Sequence, residues 1–265
     1  MVKYGVLVIS HGSRSAEWVR LVDEAVSSVK VPYGVPVYSS FLEIVEGRLI
    51  QDGITQLESI GVTDIIVVPL FVSSGSTHID EIEYALGLKD EPLLPTDMER
   101  FAVQARLHMT PPIDDDPIIA DILYEKLMPL SDNPEQELVL LVGHGSIEKG
   151  FHLRWRQGLE LLADRLKSRG GFAEADGVML LPNQVKWKLK LWNRRRPDCT
   201  VLVAPLFLSE GYFTSEVIPD RFRDYEYRYN GATLLPHPGI SRWMERQIEA
   251  AIQCMEEEGT RDIRS

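Results

Sequence analysis

Apolar positions along the chain follow two kinds of pattern. Near-continuous runs recur: GVLVIS before His11, IIVVPLF from Ile65, LVLLV before Gly143 and VLVAPLF from Val201. Short runs that are apolar at every position read as strands buried on both faces of a parallel sheet. Between them the apolar residues take helical spacing, with Val19, Val22 and Val26 on one face and Ile50, Ile54 and Leu57 on another. Strands and helices alternate, so the class is α/β.

The pattern also repeats. A strand running into His-Gly-Ser occurs at His11 and His144, and one running into Pro-Leu-Phe occurs at Pro69 and Pro205. The interval from histidine to proline is 58 residues in the first half and 61 in the second. Each half then offers a short strand (Phe101 to Leu107; Ala232 to Leu235), a His/Pro-rich turn and a final amphipathic helix starting near Pro117 or Ser241. The expectation is two tandem similar domains, 1–130 and 137–265, each a four-stranded parallel sheet flanked by helices, with an active-site cleft between them. The join falls in PLSDNPEQE, Pro129 to Glu137, whose Pro, Ser, Asp and Asn break both helix and strand.

Charge sharpens the division. Of the net −12, residues 1–128 carry −11, from 9 Lys+Arg against 20 Asp+Glu, and the rest carries −1. An acidic chain argues against nucleic acid as the main partner. Basic residues gather at Lys186, Lys188, Lys190 and Arg194 to Arg196. Such a run is commonly a solvated helix face; the alternative is a docking surface for an anionic ligand. No 18 apolar residues run together, so no membrane span is expected. Val2 to Ser10 lacks the form of a signal peptide, and Cys199 and Cys254 have neither metal-type nor redox-type spacing. A cytoplasmic protein is expected.

Candidate chemistry sits at strand ends, where parallel α/β sheets bind ligands. In SHGSR, Gly12 permits a tight turn, Ser13 is placed to cap the next helix, and His11 stands at the strand tip. PLFVSSGSTHIDEI carries His78 to the start of a helix, and VPVYSSFLEI delivers Glu43. Two imidazoles and a carboxylate from three strand ends can converge on one ion, a donor set suited to Co, Fe, Ni or Zn rather than Mg or Ca. Taken singly, a strand-end histidine is more often a hydrogen-bonded structural group, and Glu43 could be a carboxylate meeting a helix dipole; Asp80, Glu81 and Glu83 read as the first turn of a helix, the alternative being carboxylate-only coordination of the metal. No GxxxxGK[ST] loop is present for a nucleotide, nor does GxGxxG open a helix after a strand.

These motifs carry a resemblance. SHGSR at Ser10–Arg14, FLE at Phe41–Glu43 and VVPLFVSSGSTHIDEI at Val67–Ile82 resemble the sirohydrochlorin chelatases of the CbiX/SirB type in their long, two-domain form, relatives of ferrochelatase. The resemblance implies ATP-independent insertion of a divalent metal into a sirohydrochlorin-type tetrapyrrole. Cobalt is favoured, with iron and nickel as the other metals, and the metal is a substrate with no organic cofactor beside it. It places the family's metal-binding histidines on His11 and His78 and its acidic partner on Glu43. The stretch Ser73 to Thr77 departs from the bulky or glycine-rich loop usual in the family, which bears on metal and macrocycle preference.

The second half is degenerate: counting from Pro205 puts Thr214 opposite His78, and VMLLPNQ offers no carboxylate opposite Glu43. One competent site, in the first half, is expected. Ser13, Arg14, His144, Lys186, Lys188 and Lys190 are the candidate substrate contacts, while His108, His152 and His237 default to structural or solvated roles. The rival readings are a metal-binding or delivery protein and a tetrapyrrole carrier. Duplication within one chain favours a monomer.

Overall fold

A computed structural model describes residues 2–32 and 34–262. In the first half, strands β1 (Tyr4–Ser10), β2 (Val37–Phe41), β3 (Asp64–Pro69) and β4 (Arg106–Met109) alternate with helices α1 (Ala16–Ser27), α2 (Ile50–Ser59), α3 (Thr77–Ala85) and α4 (Pro117–Leu127). The strands form one parallel sheet in the order β2-β1-β3-β4. The two inner strands are the apolar runs: Val6 to Ile9 and Ile65 to Val68 are all fully buried. Helix α1 buries Leu21, Val22, Ala25 and Val26, and α2 buries Ile50, Ile54 and Leu57, so the predicted faces are the packed ones. Because β1 leads to β2 on one side and has β3 on the other, the strand order reverses between β1 and β3. The crevice beyond their carboxyl ends is where such a sheet presents ligands.

The second half holds β5 (Glu137–Gly145), α5 (Lys149–Gly170), β6 (Glu174–Leu181), α6 (Val185–Arg195), β7 (Thr200–Pro205), a π-helical turn (Phe213–Val217), α7 (Ile218–Phe222) and α8 (Pro238–Asp262). Its sheet has three strands, β6-β5-β7, again parallel, with the order reversing between β5 and β7. The fourth strand expected at Ala232 to Leu235 is not formed. A single bridge, Leu202 to Arg228, stands beside β7, and the Leu234 and Leu235 amides donate to the Phe207 and Leu208 carbonyls beyond its end. Gly231 at φ +69 turns the chain there and Pro236 follows, so no ladder propagates.

The expected boundary at 130–137 separates the sheets but not the compact units. One unit comprises Met1–Phe71, Thr77–Pro112 and Pro238–Ser265; the other comprises Val72–Ser76 and Ile113–His237. Helix α8 thus belongs with the first sheet, where the Ser241 hydroxyl donates to the Ala25 carbonyl at 2.8 Å and Glu245 accepts from the Lys30 amide at 2.8 Å. Helix α4 belongs with the second, beside α5, through Arg169–Asp121 (2.8 Å). Sequence order assigns each terminal helix to the half it follows, whereas its apolar face packs in the other unit. Among the described residues no helix is long and apolar enough to cross a membrane.

Candidate metal centre

Backbone geometry brings His11 and Glu43 together. After β1 and β2 end, pairing continues: the Leu42 amide donates to the Ser10 carbonyl at 2.8 Å and the Glu43 amide to the His11 carbonyl at 3.2 Å. Gly12 makes the turn possible. Its φ is +98°, and a Cβ there would lie 2.2 Å from the Glu43 carbonyl oxygen, so no side chain fits. Ile44 follows Glu43 at φ 73°, a left-handed conformation that β-branched residues rarely adopt, and the chain folds back sharply beyond the carboxylate. The helix cap differs from the expectation: Ser15, not Ser13, caps α1 by accepting from the Trp18 amide, while Ser13 accepts from the Ser15 amide in the turn before it. Arg14 is exposed.

His78 stands in the first turn of α3, with its ring edge-on to that of His11 at 4.9 Å between centroids. Both rings have one nitrogen engaged. His11 Nδ1 lies 3.1 Å from the Gly12 carbonyl, which can only accept, so Nδ1 carries the proton and Nε2 keeps a lone pair. His78 Nδ1 lies 2.9 Å from Glu81, whose other oxygen accepts from Thr96 at 3.3 Å. A carboxylate on the far nitrogen of a histidine orients the ring and raises its basicity as a ligand. Glu81 is the contributor that sequence reading left among helix-dipole acids; its position three residues after His78 on a helix was the available signal. Its neighbours serve elsewhere: Asp80 is buried and paired with Lys89, and Glu83 lies 3.5 Å from the same amine.

Glu43 approaches from the protonated side, 3.8 Å from His11 Nδ1, and is more than half exposed. Among the described residues no three His, Cys, Asp or Glu side chains are arranged to hold a metal ion together. The structure therefore presents a histidine pair with a carboxylate beside it.

The second sheet repeats the scaffold with other side chains. His144 Nδ1 lies 3.0 Å from the Gly145 carbonyl; Gly145 has φ +81°, and a Cβ on it would lie 2.3 Å from the Leu181 carbonyl oxygen. Leu181 thus holds the place of Glu43. The ring edge-on to His144, at 4.8 Å, is Phe213, and Phe207 stacks on Phe213 as Phe71 flanks His78. The counterpart of His78 is Phe213 rather than Thr214. It lies eight residues past Pro205 where His78 lies nine past Pro69, and Thr214 turns inward to bond Gly211.

Of the basic residues, Lys188 is engaged within the protein. It is largely buried, 2.6 Å from Asp176, which also accepts from the Trp192 indole at 2.7 Å. Lys186 and Lys190 are exposed, in the first turn and at the middle of α6. The remaining histidines each have a polar partner: His108 pairs with Asp64, His152 with the Ser146 carbonyl and His237 with Glu125.

The CbiX family model matches residues 5–129 and again 138–254. A sirohydrochlorin cobaltochelatase from Sulfolobus acidocaldarius is 29% identical over 122 residues, 46% of this chain and 88% of that one. Among solved structures, SirB from Bacillus subtilis with Fe3+ aligns over 94% of this chain and 96% of its own at TM-score 0.70 and 20% identity. The CbiX described as the terminal enzyme for biosynthesis of siroheme in denitrifying bacteria aligns over 94% and 99% at TM-score 0.59 and 16% identity. At these identities the two structures show a shared fold. The family model, matched once in each half and over most of the chain, places this protein in the CbiX family of sirohydrochlorin chelatases.

Proposed function

We propose that the chain inserts a divalent metal into sirohydrochlorin or a closely related tetrapyrrole without ATP, with Co2+ favoured over Fe2+ and Ni2+. The observation that carries this reading is the His11–His78 pair, two rings 4.9 Å apart whose Nδ1 atoms are both engaged, leaving both Nε2 lone pairs for one ion. Metal–imidazole bonds of about 2.0–2.1 Å suit two rings at such a separation. Neutral nitrogen donors hold a first-row ion loosely enough to hand it to four macrocycle nitrogens. Insertion exchanges M2+ for two pyrrole protons. Both protons leave to solvent: Glu43, exposed beside His11, takes one and passes it on while the other goes to water directly, or both go to water when Glu43 turns to complete the metal's shell.

The related proteins support cobalt and iron without choosing between them: one is a cobaltochelatase, and SirB is known with Fe3+ and with cobalt. Sirohydrochlorin carries eight carboxylates, so exposed amines matter for holding it, and Lys186 and Lys190 are exposed. Turnover with free-base sirohydrochlorin and Co2+, Fe2+ or Ni2+ tests the proposal. Many insertions per chain are expected, fastest with cobalt. At most one event per chain would instead identify a metal-delivery protein or a tetrapyrrole carrier.

A further inference from the structure

The five residues leading into Thr77 and His78 are held by a device that the metal chemistry does not use. Val72–Ser76 belongs to the compact unit of α5, although β3 before it and α3 after it belong to the other. Asp114 Oδ1 accepts from the Ser74 amide at 2.8 Å and from the Ser74 hydroxyl at 3.0 Å. Within the loop, the buried Ser73 accepts from the Gly75 amide through its hydroxyl and from the Ser76 amide through its carbonyl. Gly75 lies flat on α5: a Cβ would come within 2.5 Å of the Trp155 ring and 2.7 Å of the Phe151 carbonyl oxygen and the Trp155 nitrogen. Arg154 adds a long contact to the Ser74 carbonyl at 3.4 Å.

Holding this loop is costly for Asp114. Its backbone is left-handed, at φ 44°, and burial pushes its carboxyl above the ordinary aspartate value while the Ser74 bonds partly counter the shift. In the corresponding loop of the second half the Gly211 amide donates to the Thr214 hydroxyl, which donates back to the Gly211 carbonyl, and Phe213 stands where the first half has a histidine. Among the described residues, left-handed backbone and a carboxyl pushed up by burial coincide at Asp114, the residue that holds the loop leading to His78.

We propose that Asp114 is a positioning residue for His78: through Ser74 and the Gly75–α5 contact it fixes the loop that sets where the imidazole stands, and thereby sets metal affinity. The proposal rests on His78 being a metal ligand. Calorimetric Co2+ titration of the full chain tests it with Asp114→Ala, Asp114→Asn, Ser74→Ala and His78→Ala, and with Asp114→Ala combined with His78→Ala. Asp114→Ala is expected to weaken Co2+ binding roughly ten-fold, the lower range for outer-shell partners. Asp114→Asn, which keeps an acceptor, should recover most of the loss, and Ser74→Ala should lose less than Asp114→Ala. In turnover, KM for the metal should rise while KM for the macrocycle holds. In the His78→Ala background, Asp114→Ala should change nothing further. An equal further loss in that background, or unchanged affinity in folded Asp114→Asn and Ser74→Ala together with folded Asp114→Ala, overturns the proposal. If His78→Ala alone leaves affinity intact, the metal-ligand reading fails first and the positioning role falls with it.

Discussion

The two sheets carry the same turn and opposite chemistry. At the end of β1, Gly12 folds His11 against Glu43, and His78 stands edge-on to it; at the end of β5, Gly145 folds His144 against Leu181, and Phe213 stands edge-on to it. Both glycines are left-handed, both would collide with the facing carbonyl if they carried a Cβ, and both histidines donate Nδ1–H to the glycine's own carbonyl. The repeated His-Gly-Ser therefore reports a backbone solution, and its chemistry depends on what two other strand ends supply. Where they supply histidine and glutamate they make the proposed metal site; where they supply phenylalanine and leucine, the imidazole meets an aromatic ring instead.

The largest effect expected from this contrast is on metal affinity. His11→Ala and His78→Ala should each weaken Co2+ binding by at least about 100-fold, beyond the usual loss for outer-shell partners, while His144→Ala leaves it unchanged in the same titration. A rebuilt counterpart comes next. Phe213→His with Leu181→Glu restores a histidine pair and a carboxylate on the existing turn, so the bound cobalt per chain should rise from one to two. A count that stays at one, in a folded variant, would show that more than these two side chains separates the halves.

Third, the glycines should be equivalent where the ligands are not. Gly12→Ala and Gly145→Ala each force a side chain into a left-handed turn against a carbonyl, and each should cost at least ~2 kcal/mol in denaturant unfolding. A large cost at Gly12 alone would break the structural half of the comparison. The smallest effect is in pH dependence. Asp114 titrates above 3.8 when folded because of burial, so between 3.8 and its folded value the folded chain holds more protons than the unfolded chain. Stability falls as pH rises through that window and levels above it, and Asp114→Asn should remove this slope. Thr214→Val, which disturbs the neutral anchor of the second loop, should shift stability by a constant amount across the same range. Unfolding midpoints measured from acid to neutral pH compare the two.

Much of this was legible in the chain. The inner strands were readable because buried parallel strands are apolar at every position, and the candidate ligands because two motifs recurred at matched intervals. What escaped depended on contacts that no local pattern encodes. Residue counting from Pro205 pointed to Thr214 because the second loop is one residue shorter than the first and leads into a π-helical turn. The lysines 186, 188 and 190 looked alike until Asp176 claimed one of them. Asp114 gave no signal because its partner is 40 residues away. The terminal helices were amphipathic as read, but amphipathicity says that a face is buried and not by which unit.

The most direct test of the account is steady-state insertion of Co2+ into free-base sirohydrochlorin by His78→Ala and His144→Ala, run side by side at saturating macrocycle. The account predicts that His144→Ala keeps a kcat near that of the unaltered chain and that His78→Ala gives no multiple turnover. Sustained turnover by folded His78→Ala would contradict it.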